Sequence, residues 1–451
     1  MNPGAQPLRW WLTARDGGAR LTEQAPPAGG HHPGAARLHV DTSRRFQTLE
    51  GFGGAFTEAA ASVWQQLSGA QQQAFLHDCF HPKHGHGYTL CRVHINSCDF
   101  SLGHYAHADQ PGDTTLQHFS IARDRQHLLP MIQAAQRVAG RPLKLLASPW
   151  SPPAWMKSNQ QMAQGGHLLP QFRAAWAQCF VRFIQAHEAE GVPIWGVTVQ
   201  NEPEAHQRWD SCLYTAEEER DFVRDHLGPA LHAAGLGHVR IVVWDHNRDA
   251  MVERASTILG DPAAARFVWG TGFHWYMDDH FHHVQLVHDA WPDKGLLFTE
   301  GCQEGGPHHG SWELGERYAR SMVNDLNRWT AGWIDWNLLL DEHGGPNHVG
   351  NFCSAPVLAE PAADALHRQS SFWYIGHFAR FIQPGAQRVL CAATREALEC
   401  TAFVNPDGSV AVVAMNRGED ALPFTLAIDG GRHALALPPR AIATVLRPAA
   451  N

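Results

Sequence analysis

Trp195-Gly-Val-Thr-Val-Gln-Asn-Glu-Pro203 opens as an apolar run and closes on a carboxylate followed by a proline. A run without polar alternation reads as a strand buried on both faces, as in a parallel sheet. Seven other stretches share the pattern: Leu49–Ala55, Tyr88–Asn96, Leu143–Trp150, Arg240–His246, Gly270–Tyr276, Leu296–Thr299 and Gly332–Leu340. Amphipathic stretches such as Gln171–Glu190 and Ala216–Gly235 lie between them. Strand–helix units repeated in this way predict a closed (β/α)8 TIM barrel, an α/β fold.

The two ends lack that alternation. They carry β-rich segments at Arg37–Val40, Leu398–Val404, Val410–Met415 and Ala441–Leu446, with turns at Asn405-Pro-Asp-Gly408 and Asp429-Gly-Gly431. The expected organisation is a barrel over residues 48–379. An attached β-sandwich is expected to be built from N-terminal strands (1–47) and the C-terminal segment (380–451).

The bulk chemistry narrows the function classes. The chain has 451 residues, 44% of them hydrophobic, which is enough to bury a large core. A net charge of −9 and the absence of a Lys/Arg stripe argue against a nucleic-acid partner. The 31 histidines would carry the charge from −9 to +22 if all were protonated. They include the adjacent pairs His31-His32, His282-His283 and His308-His309, and three in one Gly-containing loop at His81, His84 and His86. No HExxH and no Cys/His zinc spacing occurs, so no metal and no cofactor are expected. The nine cysteines form no CxxC, which favours free thiols and a reducing compartment. The N-terminal stretch lacks the layout of a signal peptide, no apolar run reaches membrane-span length, and no N-x-Ser/Thr sequon occurs. The expectation is a cytoplasmic protein without a transmembrane segment; oligomeric state is left open.

In such a barrel the reactive groups follow the C-terminal strand ends. The fourth run leads into Asn201-Glu202-Pro203 and the seventh into Thr299-Glu300-Gly301. Two carboxylates placed after buried strands need compensation for their burial. Glycoside hydrolysis uses such a pair, one as acid/base and one as nucleophile. Glu202 is read as acid/base and Glu300 as nucleophile. Asn201 suits a donor to the sugar 2-hydroxyl. Arg92, a cation inside the second run, is placed to pair with Glu300 and keep it ionised. His274 and Tyr276, at the end of the sixth run, offer hydrogen bonds to the nucleophile. Trp150 and Trp336 end the third and eighth runs, where an aromatic face can pack on a pyranose. Asp99 and Asn347 sit on loops of the same rim.

At these residues the chain resembles glycoside hydrolase family 30, in its glucosylceramidase (acid β-glucosidase) branch. The matching strings run in order: Gly51-Phe-Gly-Gly-Ala-Phe-Thr57, Ser97-Cys-Asp-Phe-Ser101, Leu145-Leu-Ala-Ser-Pro-Trp-Ser-Pro-Pro-Ala-Trp155, Asn201-Glu-Pro203, His274-Trp-Tyr276, Glu300 with Cys302, Asp335-Trp-Asn337, Gly344-Gly-Pro-Asn347 and Gly376-His-Phe378. The resemblance implies a barrel fused to a β-sandwich and double displacement without a cofactor. Glu202 again falls in the acid/base position and Glu300 in the nucleophile position. Asp99, Trp150, Asn201, Trp336 and Asn347 fall in the glycone-binding set, which favours glucose. Tyr276 falls beside the nucleophile. The sequence departs at Glu204–Cys212, which borders the leaving-group side, where Trp209 is placed to stack on an aglycone sugar. It also departs at Gly301–Glu304 and at Glu58. The expected partner is a carbohydrate or glycolipid and the expected activity that of an exo-acting β-glucosidase. Alternatives are the same chemistry on a β-xyloside, β-fucoside, β-galactoside or β-1,6-glucan, or a catalytically inactive carbohydrate-binding protein.

Overall fold

Eight parallel strands close into a ring in chain order: Gly51–Phe56, Leu90–Ile95, Lys144–Pro149, Ile194–Thr198, Arg240–Asn247, Val268–His274, Gly295–Glu300 and Gly332–Asn337. The computed structural model describes residues 7–27 and 34–449; the His31-His32 pair and residues 1–6 of the N-terminal segment lie outside them. Each predicted run overlaps one of these strands. Both strand faces are covered, which is why the runs show no alternation. Leu90, Leu146, Val242, Leu297 and Ile334 fill a central layer of the barrel. Gly53 sits where the second strand approaches closely: a Cβ there would lie 1.9 Å from the Leu90 carbonyl.

The predicted helix over Gln171–Glu190 forms at Arg173–Ala189. The one over Ala216–Gly235 forms with a π-turn at Val223–Leu227. Pro229 follows that turn and has no N–H to give the helix, and the Gly228 N–H reaches back to the Val223 carbonyl. The eighth strand is shorter than the expected run and ends at Asn337. The last residue of that run, Leu340, leaves the barrel for a small three-stranded sheet with Val357–Glu360 and Ala365–Arg368.

The ends of the chain meet in a nine-stranded sheet. Arg9–Ala14, Thr22–Gln24 and Ala36–Thr48 join six strands from Gln387 onward. The strand Val410–Asn416 shows how this sheet packs. Val410, Val412 and Ala414 face the sandwich core with Trp10, Leu12, Ala443 and Val445. Ala411, Val413 and Met415 face the barrel side with Trp11 and Phe403.

At that seam the helix Ser370–Ala379 carries His377, fully buried, with Nδ1 2.9 Å from the Thr444 hydroxyl and Nε2 2.9 Å from that of Thr13. Burial pushes its pKa down to about 3. A histidine neutral in the folded state and ordinary (about 6.5) when unfolded adds full stability above pH ~6.5 and loses it as pH falls toward 3. The slope approaches about 1.4 kcal/mol per pH unit. Urea midpoints should therefore fall between pH 6.5 and 4, and His377→Gln should flatten that fall while lowering the midpoint at pH 7. Parallel pH dependences for the two proteins would show that His377 does not titrate across unfolding.

Candidate active site

The strand ends converge on one pocket of about 150 Å³ lined by Asp99, Trp150, Asn201, Glu202, Trp209, Tyr276, Glu300 and Trp336, among others. Local irregularities aim these groups. Register shifts interrupt the ladder between Trp244 and His246, between Phe298 and Glu300, and between Asp335 and Asn337. Bulges at strand ends redirect side chains in this way. Glu300 is the last residue of the seventh strand. Glu202 lies four residues beyond the fourth, in a turn with φ of 47°. That left-handed conformation is costly for a residue with a Cβ. It is held by the Glu202 N–H, which donates to the Asp245 carbonyl (3.0 Å), and by the Asn201 N–H, which donates to that of Pro149 (2.8 Å).

Arg92 organises the floor. It is fully buried, and its guanidinium donates to the Ser148 hydroxyl (2.9 Å), Asn201 Oδ1 (2.9 Å), Asp245 Oδ2 (2.7 Å) and Glu300 Oε2. The expected Arg92–Glu300 pair is thus present, and Arg92 also binds a second carboxylate. With Oδ1 of Asn201 occupied by Arg92, its amide N–H groups remain to donate into the pocket. The Tyr276 hydroxyl donates to Glu300 Oε1 (2.9 Å). His274 serves Glu202 rather than Glu300. Its Nδ1 is 3.2 Å from Glu202 Oε1 and its Nε2 3.0 Å from Asp245 Oδ1. One oxygen of each glutamate and a ring nitrogen of His274 lie within 4.8 Å of one another.

Electrostatics divide the pocket into two sides. Burial acts against the His274 cation, yet Glu300, Asp245 and Glu202 raise its pKa to about 9. Asp245 is held well below the usual carboxylate range, against burial, by Arg92 and His274. Burial pushes the Glu300 carboxyl up, against the pull of His274 and Arg92. Burial also acts on Glu202, but the His274 hydrogen bond and nearby His246 hold it below its ordinary value. At neutral pH the proton between Glu202 and His274 therefore rests on the His274 side of their hydrogen bond. Glu300 faces a permanent cation. Asp99 is pushed up to about 7 by burial.

Trp150 and Trp336 stack on each other (centroids 5.0 Å apart), with the Arg92 guanidinium over both rings. They form the wall of the pocket, and only 2–3% of each remains exposed. Asn347 stands behind the pocket, donating to Asp99 Oδ2 (3.1 Å), while Asn351 makes a similar contact (3.2 Å) and lines the pocket itself. Asp245, His246 and Asn247 were not among the expected site residues, although Asp245 and His246 end the fifth run and Asn247 follows it. Nor were Gln207, Glu304 and Cys353, which the loops bring in.

A barrel whose strand ends gather two carboxylates, a cation and an aromatic wall in a sugar-sized pocket is that of a glycosidase. Residues 49–382 match the Glycosyl hydrolase family 30 TIM-barrel domain and residues 385–445 the family's beta sandwich domain. The chain belongs to glycoside hydrolase family 30. It is 37% identical to lysosomal acid glucosylceramidase of Mus musculus over 86% of this chain and 79% of that protein. An endo-1,6-beta-D-glucanase of Neurospora crassa is 29% identical over 93% of this chain and 91% of that one. Among solved structures, SrfJ from Salmonella typhimurium superposes with a TM-score of 0.93 at 37% identity, covering 97% of this chain and 99% of that one. All nine cysteines are free thiols, and no helix among the described residues is long and apolar enough to cross a membrane.

Proposed function

We propose that this glycosidase is a retaining, exo-acting β-glucosidase of the glucosylceramidase type. The observation that carries the mechanism is the closeness of Glu202 and Glu300, with oxygens within 4.8 Å. Retaining enzymes hold their carboxyls about 5–5.5 Å apart, whereas inverting ones leave about 6.5–9.5 Å for a water. In the first step a Glu300 oxygen bonds to the anomeric carbon as the bond to the leaving oxygen breaks, and Glu202 gives that oxygen a proton. In the second, Glu202 takes a proton from water, the water oxygen bonds to the anomeric carbon, and Glu300 leaves. His274 backs Glu202 as the proton changes hands; Arg92 and Tyr276 hold the Glu300 anion. Asp99, Asn201 and Asn347, the last through Asp99, address the sugar hydroxyls. The pair Trp150 and Trp336 walls the ring, and Trp209 faces the aglycone. The compact pocket favours one terminal sugar over a long chain.

The glucanase relative supports a second reading on β-1,6-linked glucose. Initial rates on aryl β-glycosides of glucose, xylose, fucose and galactose, beside glucosylceramide and a β-1,6-glucan, separate the two. Fastest release from the aryl β-glucoside supports the first reading; cleavage confined to the interior of the glucan contradicts it.

The rate should be bell-shaped in pH. It should fall on the acid side as Glu300 gains a proton and on the alkaline side as His274, which holds the proton that Glu202 passes on, loses it toward pH 9. Tyr276→Phe removes a hydrogen bond to a charged group, worth about 1.5–3 kcal/mol. Its acid limb should move up by about one pH unit or more, with the alkaline limb unmoved. An unmoved acid limb would show that the hydroxyl does not hold the anion.

A further inference from the structure

Beside the pocket, three loops bring His104, Asp210 and His348 together, with one ligand-capable atom from each within 4.8 Å of the others. Asp210 is buried. Its Oδ1 accepts from the Ser97 hydroxyl (2.6 Å) and lies 3.1 Å from His104 Nδ1. Its Oδ2 has no hydrogen-bond partner and lies 3.4 Å from His348 Nε2, which has none either. His348 Nδ1 is 3.2 Å from the Ser101 carbonyl. A carbonyl only accepts, so Nδ1 carries the proton and Nε2 of the neutral ring is a bare lone pair. Two electron-rich atoms therefore face each other with no hydrogen bond between them. Lys157, a buried ammonium nearby, spends hydrogen bonds on the carbonyls of Met162 and Ser211.

We propose that His104, Asp210 and His348 bind a divalent transition-metal ion of the zinc class. Two imidazoles and a carboxylate suit zinc, and a tetrahedral ion with bonds of about 2.0–2.1 Å sets its ligand atoms about 3.3 Å apart. The two imidazoles approach the two oxygens of one carboxylate, His104 Nδ1 at 3.1 Å from Oδ1 and His348 Nε2 at 3.4 Å from Oδ2, and the three groups are close enough for a small shift to bring one atom of each onto a shared ion. The Ser101 carbonyl on His348 and the Ser97 hydroxyl on Asp210 orient the ligands as outer-shell partners do. His104, its side chain 45% exposed, leaves a fourth position open to water.

The ion ties together the loops after the second, fourth and eighth strands. Asp210 adjoins Trp209, His348 adjoins Asn347, and the His348 N–H donates to the Asp99 carbonyl (3.2 Å). The site is a clip on the sugar-binding rim. Ion binding itself does not depend on the proposed substrate.

The test is titration of the chelator-stripped protein with Zn2+ by calorimetry and chelator competition, with melting temperature read alongside. We expect one saturable site and a raised melting temperature. Asp210→Asn and His348→Gln should each weaken binding by at least about tenfold, and the exposed His104→Gln serves as a third variant least disruptive to folding. Glu300→Gln and the double variant His282→Ala/His283→Ala should keep the site; they probe the other two clusters of ligand-capable groups among the described residues. Removing the ion should raise KM for an aryl β-glucoside and leave kcat unchanged. Absence of Zn2+ binding would overturn the site. So would binding that survives both Asp210→Asn and His348→Gln, or binding lost in Glu300→Gln. An unchanged KM would overturn the clip.

Discussion

Glu300→Gly should lose nearly all hydrolysis of an aryl β-glucoside and recover turnover when azide is added, with an α-glucosyl azide as product. Removing a nucleophile costs a rate factor on the order of 10⁴ or more when the residue acts within a unit. The small anion enters the space left by the carboxylate and attacks the anomeric carbon from that face. The product is inverted because no enzyme-bound intermediate precedes it. Glu202→Ala should behave differently. Its first step survives on substrates with good leaving groups, azide then intercepts the Glu300-linked sugar, and the product is the β-azide. Reversed anomers would exchange the two roles. Full activity in Glu300→Gln would remove Glu300 from the mechanism.

Arg92→Met is expected to damage both stability and rate. Arg92 is fully buried and serves two carboxylates, one amide and one hydroxyl. Deleting one partner of a buried ion pair typically costs about 3–5 kcal/mol, because the other charge is left uncompensated. Asp245 is such a charge here, left with His274 as its cationic partner and the Thr299 hydroxyl beside it. Arg92→Lys should fall little short of this, since one ammonium cannot reproduce the planar fork. Urea unfolding gives the loss. Adding Asp245→Asn to Arg92→Met should return part of it, which identifies the unpaired carboxylate as the cause. Two strictly additive losses, or no loss in Arg92→Met, would contradict this view of the floor.

The barrel was legible because its strands are covered on both faces, so each announces itself as an unbroken apolar run. Strand-end position then pointed to Glu300, and the run into Asn201-Glu202-Pro203 pointed to Glu202. Asp245 shows where that reading stops. It lies within a run, between Trp244 and His246, and a register shift redirects the chain there. No residue pattern announces that shift. His274 was placed beside the wrong glutamate because the ring's partner depends on rotamer and depth, not on strand order. Asn347, expected on a loop of the rim, donates to Asp99, which lines the pocket. His104, Asp210 and His348 come from three loops far apart in the chain, so no local spacing marks them. In the sheet, Leu422–Ile428 is a strand whose alternating Leu422, Phe424, Leu426 and Ile428 face the sandwich core, a period-2 pattern unlike the unbroken runs of the barrel. Val410–Asn416 stood out because barrel and sandwich bury both of its faces.

The proposed mechanism requires Glu202 and Glu300 to act as a retaining pair. Proton NMR of freshly released sugar, taken before mutarotation during hydrolysis of an aryl β-glucoside, tests this most directly. The β-anomer should appear first and the α-anomer only later, by mutarotation. First appearance of the α-anomer would contradict the retaining mechanism, and with it the roles given to both glutamates.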